Sequence, residues 1–191
     1  MLILVVGIVL FLGAHSLTTF RGSRAKLIER FGAEAYKGFY SLVAGIGLVL
    51  IVWGFSRYRT EGFVPLWTPP VWARHFALAL MWVAFVSMAF ANPAPSRIRG
   101  WLRHPMLVAV KVWAFAHFLV NGDAGGMLLF GSFLAWSIYD RIAVKNRGDI
   151  GAARLAFFTR ADAINVAAGT AAYVVMLFLH PYLIGVDPLG S

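Results

Sequence analysis

The sequence predicts an all-α fold, a polytopic membrane helix bundle of about six transmembrane helices with both termini outside. Three observations carry that prediction. The 191 residues are 60% apolar and only 13% charged, against roughly 25% charged in an ordinary soluble domain. The apolar residues gather into runs near the ~20-residue length that crosses a ~30 Å hydrocarbon core. The runs do not alternate apolar with polar residues, as the strands of a membrane barrel do. Disorder is excluded by the hydrophobicity. A disulfide scaffold is excluded because there are 0 cysteines. The net charge of +9 does not indicate nucleic acid, since a soluble nucleic-acid binder would not place its basic residues between long apolar runs.

The first run is Leu2–Phe20, interrupted near its end by Gly13, His15, Ser16 and two threonines. No basic segment precedes it and no small-x-small cleavage site follows, so it reads as a retained helix. The second run is Phe39–Phe55. Thr68-Pro69-Pro70 leads into the third, Val71–Ala91, which Asn92-Pro93-Ala94-Pro95 ends because proline lacks the N–H that a helix needs. The fourth run is Met106–Val120, and Asn121-Gly122-Asp123 links it tightly to a short fifth, Gly126–Tyr139. The sixth is Ile164–Ile184. No repeat of fixed period and no soluble segment interrupts the pattern, so residues 1–191 read as a single transmembrane domain.

The basic residues follow a sidedness pattern. Arg21, Arg24, Lys26, Arg30 and Lys37 follow the first run; Arg97, Arg99 and Arg103 follow the third; Arg141, Lys145, Arg147, Arg154 and Arg160 follow the fifth. With six spans these thirteen share one side, and only Arg57, Arg59 and Arg74 lie on the other. Under the positive-inside rule the thirteen are cytoplasmic. The cationic loops also suit anionic lipid head groups. The longest connection, Arg141 to Ala163, mixes Ile142, Val144, Leu155, Phe157 and Phe158 with its basic residues. That mixture predicts a partly interfacial helix.

Polar groups inside a membrane are costly, so each is a site candidate. The five histidines and Lys111 stand out. His117 lies well inside the fourth run, with Trp113 and Ala114 on its helical face. Small and flat neighbours beside a buried imidazole suit a planar cofactor, and a hydrogen bond to a facing helix is the competing reading. His15, between Ala14 and Ser16, leaves the same two readings open. Arg103-His104-Pro105 opens the fourth run, with Pro105 suited to the first helical position. Lys111 follows two turns later on the same face as His104. Arg103, His104 and Lys111 together read either as a cationic pocket for a carboxylate or phosphate, or as interface anchors with a snorkelling lysine. His75 and His180 read as anchors on the outer side.

Arg103-His104-Pro105-Met106-Leu107, Trp113-Ala114-Phe115-Ala116-His117 and Asn121-Gly122-Asp123 resemble the NnrU family. So do Gly13-Ala14-His15-Ser16, Phe133-Leu134-Ala135-Trp136 and His180-Pro181-Tyr182-Leu183-Ile184-Gly185-Val186. The resemblance implies a multi-pass protein of the bacterial inner membrane, associated with denitrification through nitrite and nitric oxide reduction. The family is similar to the plastid 15-cis-zeta-carotene isomerase, which carries haem b. By that resemblance His15 and His117 would be metal ligands to haem b; on that reading Arg103, Lys111, Arg21 or Arg24 would neutralise its propionates, with His104 in the same cationic pocket as Arg103 and Lys111. The isomerase has a cysteine three residues before its second ligand; here Ala114 stands there. A thiolate ligand switch is therefore excluded, while haem binding stays open.

The resemblance implies an accessory factor or a haem-dependent isomerase or redox protein, and leaves open whether it is an enzyme. Its expected partners are the lipid bilayer, components of a nitrite or nitric oxide reductase, and a lipophilic small molecule. One rival is an S-adenosylmethionine-dependent membrane methyltransferase, a group that also uses Arg-His-Pro at a helix start. Against it, the region after the fifth run has Asp140, Asp149 and Asp162 but no paired glutamates. The other rival is a cofactor-free assembly protein with structural histidines.

Overall fold

The computed structural model describes residues 1–190. The described residues form eight α-helices: α1 (Leu2–Ser16), α2 (Arg21–Phe31), α3 (Ala33–Glu61), α4 (Val71–Ala89), α5 (Arg97–Leu102), α6 (Pro105–Val120), α7 (Ala124–Asn146) and α8 (Arg160–Ile184). The only β-type pairing among them is an isolated bridge between Pro65 and Asp123. Four helices, α3, α4, α7 and α8, are long and apolar enough to cross a membrane, and a fifth span results if the bent pair α1–α2 is counted as one. α6 is apolar but shorter, at 16 residues. The all-helical membrane class is thus established, with fewer full-length spans than the six apolar runs suggest.

The chain divides into two compact units. The first comprises Met1–Trp67 and Gly122–Val144. Within it α1 lies against α3 at backbone contact distance. A Cβ on Gly7 would stand 2.6 Å from the Ile51 amide nitrogen, and one on Gly47 would stand 2.7 Å from that of Phe11. Gly54 meets Leu4 in the same way. In lipid there is little hydrophobic drive between helices, so such small residues let two backbones pack closely. Tyr58, 1% exposed, closes the α3 end. Its hydroxyl accepts from the Val64 amide at 3.0 Å and lies 3.3 Å from the Val64 carbonyl. The Leu66 and Trp67 amides both donate to the Gly122 carbonyl. That docks the chain after α3 onto the turn before α7.

Helix α2 departs from the sequence expectation, which treats residues 21–37 as a basic connection. Arg, Lys, Glu, Leu and Ile are good to fair helix formers, and Gly32 at φ +83° ends the helix. α2 buries none of its residues and turns 86° from α1. A polar helix at that angle to a span suits the membrane surface. Thr19 fixes the bend by donating to Asp140 Oδ1 of α7 at 2.9 Å.

The second unit comprises Thr68–Asn121 and the chain from Lys145 onward. Here α4 packs on both α6 and α8. The buried residues are small: Ala73, Ala77, Ala84 and Ser87 on α4, Ala109, Ala114 and Ala116 on α6. Gly169 of α8 sits against Val86, where a Cβ would be 2.6 Å from its Cα. Trp82 donates its indole N–H to Thr170 Oγ1 at 3.0 Å, and Asn92 donates to Asn165 Oδ1 at 2.7 Å.

The expectation of an interfacial helix across Arg141–Ala163 is corrected. α7 continues to Asn146, and residues 147–159 are irregular. Gly148 and Gly151, at φ +70° and +68°, take the left-handed backbone that stops a helix. The short fifth run therefore lengthens into a 23-residue helix, because Arg141 and Lys145 tolerate a helical end near the interface.

Candidate functional sites in the two units

His15 stands in the last turn of α1. Its Nδ1–H donates to the Phe11 carbonyl one turn back at 2.7 Å. A carbonyl can only accept, so Nδ1 carries a proton, and Nε2 is the ring nitrogen left to offer a lone pair. Aromatic rings from three helices surround it. Phe11 stacks at 4.2 Å between centroids, Tyr40 of α3 lies at 5.6 Å, and Trp136 of α7 meets it edge-on at 5.9 Å. Trp136 is held by donating its indole N–H to Ser16 Oγ at 3.1 Å, and Ser16 donates onward to the Leu12 carbonyl at 2.7 Å. The neighbour of the histidine therefore orients one wall of its surroundings.

His117 belongs to the second unit, in the last turn of α6. Its Nδ1–H donates to the Trp113 carbonyl at 3.0 Å, which again leaves Nε2 to offer a lone pair. The Trp113 ring lies at 5.3 Å. Ala114 is 0% exposed, so the room that its small side chain leaves is taken up by neighbouring protein. Asn121 donates to the His117 carbonyl at 2.7 Å and closes the helix end.

Arg103 and His104 form a clamp on the irregular segment. Arg103 has φ +62° and is the sole non-glycine residue at positive φ among the described residues. Such a backbone costs on the order of 1–3 kcal/mol and persists only where surroundings enforce it. Here they do. The Arg103 carbonyl accepts from the Ala152 amide at 2.8 Å, and its guanidinium Nη1 donates to the Ala152 carbonyl at 3.0 Å. His104 Nε2 lies 3.3 Å from the Asp149 carbonyl, to which it donates, and 4.0 Å from Asp149 Oδ1. Gly151 passes so close that a Cβ would meet the Arg103 carbonyl and His104 Nε2. Arg103 and His104 thus come together, and Lys111 stands part-exposed two turns further along α6.

His75 is exposed at the start of α4. His180 donates Nδ1–H to the Val186 carbonyl at 2.7 Å and so fastens the turn after α8, where Gly185 has φ +75°. No group of three or more His, Cys, Asp or Glu side chains arranged to hold a metal ion occurs among the described residues.

Sequence reasoning missed the partners Tyr40, Trp136 and Ser16 around His15, and the role of Asp162. Asp162 is 4% exposed and accepts five hydrogen bonds. Oδ1 takes those from Ser96 Oγ at 2.9 Å and the Ile98 amide at 2.8 Å. Oδ2 takes those from the Arg97 amide at 3.1 Å, the Thr159 amide at 2.7 Å and Thr159 Oγ1 at 3.0 Å. One carboxylate therefore ties the N-terminus of α5 to that of α8. The Thr-x-x-Asp spacing of Thr159 and Asp162 was the available signal, since it is a capping-box pattern with Asp in the Glu position.

No curated protein and no solved structure matches the chain. The family model described as NnrU protein matches residues 3–188, nearly the whole length, and the chain therefore belongs to the NnrU family.

Proposed function

We propose that this NnrU-family membrane protein binds haem b, and that His15 and His117 are each a candidate ligand to iron. The supporting observation is the contact of each Nδ1 with a backbone carbonyl. In both, Nδ1–H is spent on the carbonyl one turn back, which leaves Nε2 as the nitrogen able to donate a lone pair to iron. Tying the second ring nitrogen to a carbonyl is also the usual way proteins orient a ligating histidine. The donor set fits a haem iron, and the aromatic rings around His15 suit a flat apolar macrocycle. When bound, haem supplies one-electron chemistry and a site for small diatomic molecules. Ser16 and Trp136 would orient the His15 side, and Trp113 would flank His117. Arg103 and Lys111 would supply positive charge, and His104 a ring N–H, in the second unit for carboxylates such as propionates.

This reading carries the family association forward. The protein would sit in the bacterial inner membrane with both termini outside. There it would serve nitrite and nitric oxide reduction, as an accessory factor or as a haem-dependent isomerase or redox protein acting on a lipophilic molecule. The test is the absorption spectrum of the purified protein. A Soret band that weakens in both His15→Ala and His117→Ala is expected. A colourless protein that binds S-adenosylmethionine would overturn the reading in favour of a methyltransferase.

A further inference from the structure

One end of the second unit is strongly cationic and partly apolar. α5, the irregular segment 147–159 and the start of α8 bring Arg97, Arg99, Arg103, Arg147, Arg154 and Arg160 to it. The segment crosses the Gly100 face of α5, where a Cβ would meet the Ala153 carbonyl and Arg154 Cα. Among the described residues no carboxylate lies within 4.0 Å of any of these guanidinium groups. The two nearby carboxylates are otherwise engaged. Asp162 accepts only from backbone amides and hydroxyls, and Asp149 faces His104. Arg97 Nε, Arg99 Nε, and both Nε and Nη1 of Arg147 are shielded from water with no hydrogen-bond partner. A desolvated guanidinium N–H without an acceptor is costly, and no group of the protein at this end compensates these cations.

The apolar part is interleaved with this charge. Arg97 stands over two rings, 5.1 Å from the Trp101 centroid and 4.7 Å from that of Phe158, and those rings meet edge-on at 5.6 Å. The rings are not core. Trp101 is 52% exposed, Phe158 58%, Phe157 66% and Ile150 75%. A free phosphate or a polyanion would answer the arginines and leave these apolar groups in water. The head-group layer of an anionic leaflet answers both, because it sets phosphate beside glycerol and upper acyl carbons at the level where Trp and Arg anchor. The surface also stands where a membrane helix, α8, begins at Arg160, and where α4 has just ended.

We propose that this end of the second unit binds the phosphate head group of an anionic phospholipid. Arg97 and Arg99 hold the phosphate, and Trp101, Phe157 and Phe158 seat among its glycerol and upper acyl carbons. Stacking on the rings holds the Arg97 guanidinium still, which suits it to forked recognition of phosphate oxygens. The site needs no haem and stands apart from that reading.

The test uses the full chain purified in mild detergent and titrated with phosphatidylglycerol or phosphatidylcholine, with bound lipid counted by native mass spectrometry. Preferential retention of phosphatidylglycerol is expected. Arg97→Ala and Arg99→Ala should each weaken it about fivefold, and the double variant about 25-fold, taking the usual contribution of one basic residue at a lipid surface. Trp101→Ala should weaken both lipids. Arg57→Ala removes a charge already paired with Glu61 at the end of α3 and should leave retention unchanged. Circular dichroism checks that each variant folds, and Arg97→Lys, which keeps the charge but loses the fork, replaces Arg97→Ala if that variant does not. Equal retention of the two lipids, or wild-type retention by a folded double variant, overturns the proposal. So does full displacement of phosphatidylglycerol by millimolar inorganic phosphate, which would mark a free-phosphate site, or preferential capture of added RNA.

Discussion

Removing the Asp162 carboxylate should loosen the whole end of the second unit. In Asp162→Ala three backbone amides, those of Arg97, Ile98 and Thr159, lose their acceptor together with the hydroxyls of Ser96 and Thr159. The hydroxyls can rotate toward other acceptors: the Pro95 carbonyl lies 3.1 Å from Thr159 Oγ1. The amides are fixed by the helices that they begin. A buried amide left without a partner costs about 1–3 kcal/mol. Water reaches part of this site, since Arg97 and Thr159 are half-buried, so the three together come to about 3 kcal/mol. For a chain of this length that is a fall in Tm of roughly 6–12 °C. Asp162→Asn keeps one acceptor but turns an NH₂ toward the donors of the other oxygen, and should cost about 2 kcal/mol. Thermal unfolding in detergent, followed by circular dichroism, gives both values. A loss below about 1 kcal/mol in Asp162→Ala would refute the claim that this carboxylate holds α5 to α8.

Gly54→Ala should force α1 off α3, because the added Cβ meets the Leu4 backbone, at a cost of about 1–3 kcal/mol in the same melt. Gly151→Ala combines a backbone at φ +68° with contact against the Arg103 carbonyl. It should lower Tm and, by opening the clamp, speed proteolysis between residues 147 and 159. Trp136→Phe removes the bond to Ser16 and should cost about 1 kcal/mol while keeping an aromatic wall at His15. If haem is bound, this variant retains it with a shifted spectrum, whereas His15→Ala loses it.

The elements bounded by proline were legible. α4 begins at Val71, as Pro69-Pro70 indicates, and ends two residues before the expected Ala91. α6 begins at Pro105, the first helical position that Arg103-His104-Pro105 indicates. α2 was not legible from apolar runs, since its helicity comes from charged helix formers and a terminal glycine. The irregular 147–159 segment looked amphipathic in sequence, but two left-handed glycines and the Arg103 clamp decide its path. The histidines themselves could be read as costly groups in apolar runs. Their hydrogen-bond partners Phe11 and Trp113 lie one turn back and follow from helix geometry. Tyr40 and Trp136 come from other helices, and only the packing of α3 and α7 brings them to His15. Ala114 is fully buried, which its small size in the sequence does not by itself indicate.

The lengths of α1 and α6 have a consequence for the lipid around them. At 15 and 16 residues they rise about 22–24 Å, short of a ~30 Å hydrocarbon core. Each lies against a longer helix of its own unit, α3 or α4, so neither can correct the shortfall by sinking deeper alone. A ~30 Å core meets such a helix by thinning locally by about 6–8 Å, one of the usual responses to hydrophobic mismatch. His15 and His117 occupy the last turns of these two short helices. At the end of each helix such thinning brings bulk water, and with it protons, closer to that helix's own imidazole than its place in an apolar run would suggest.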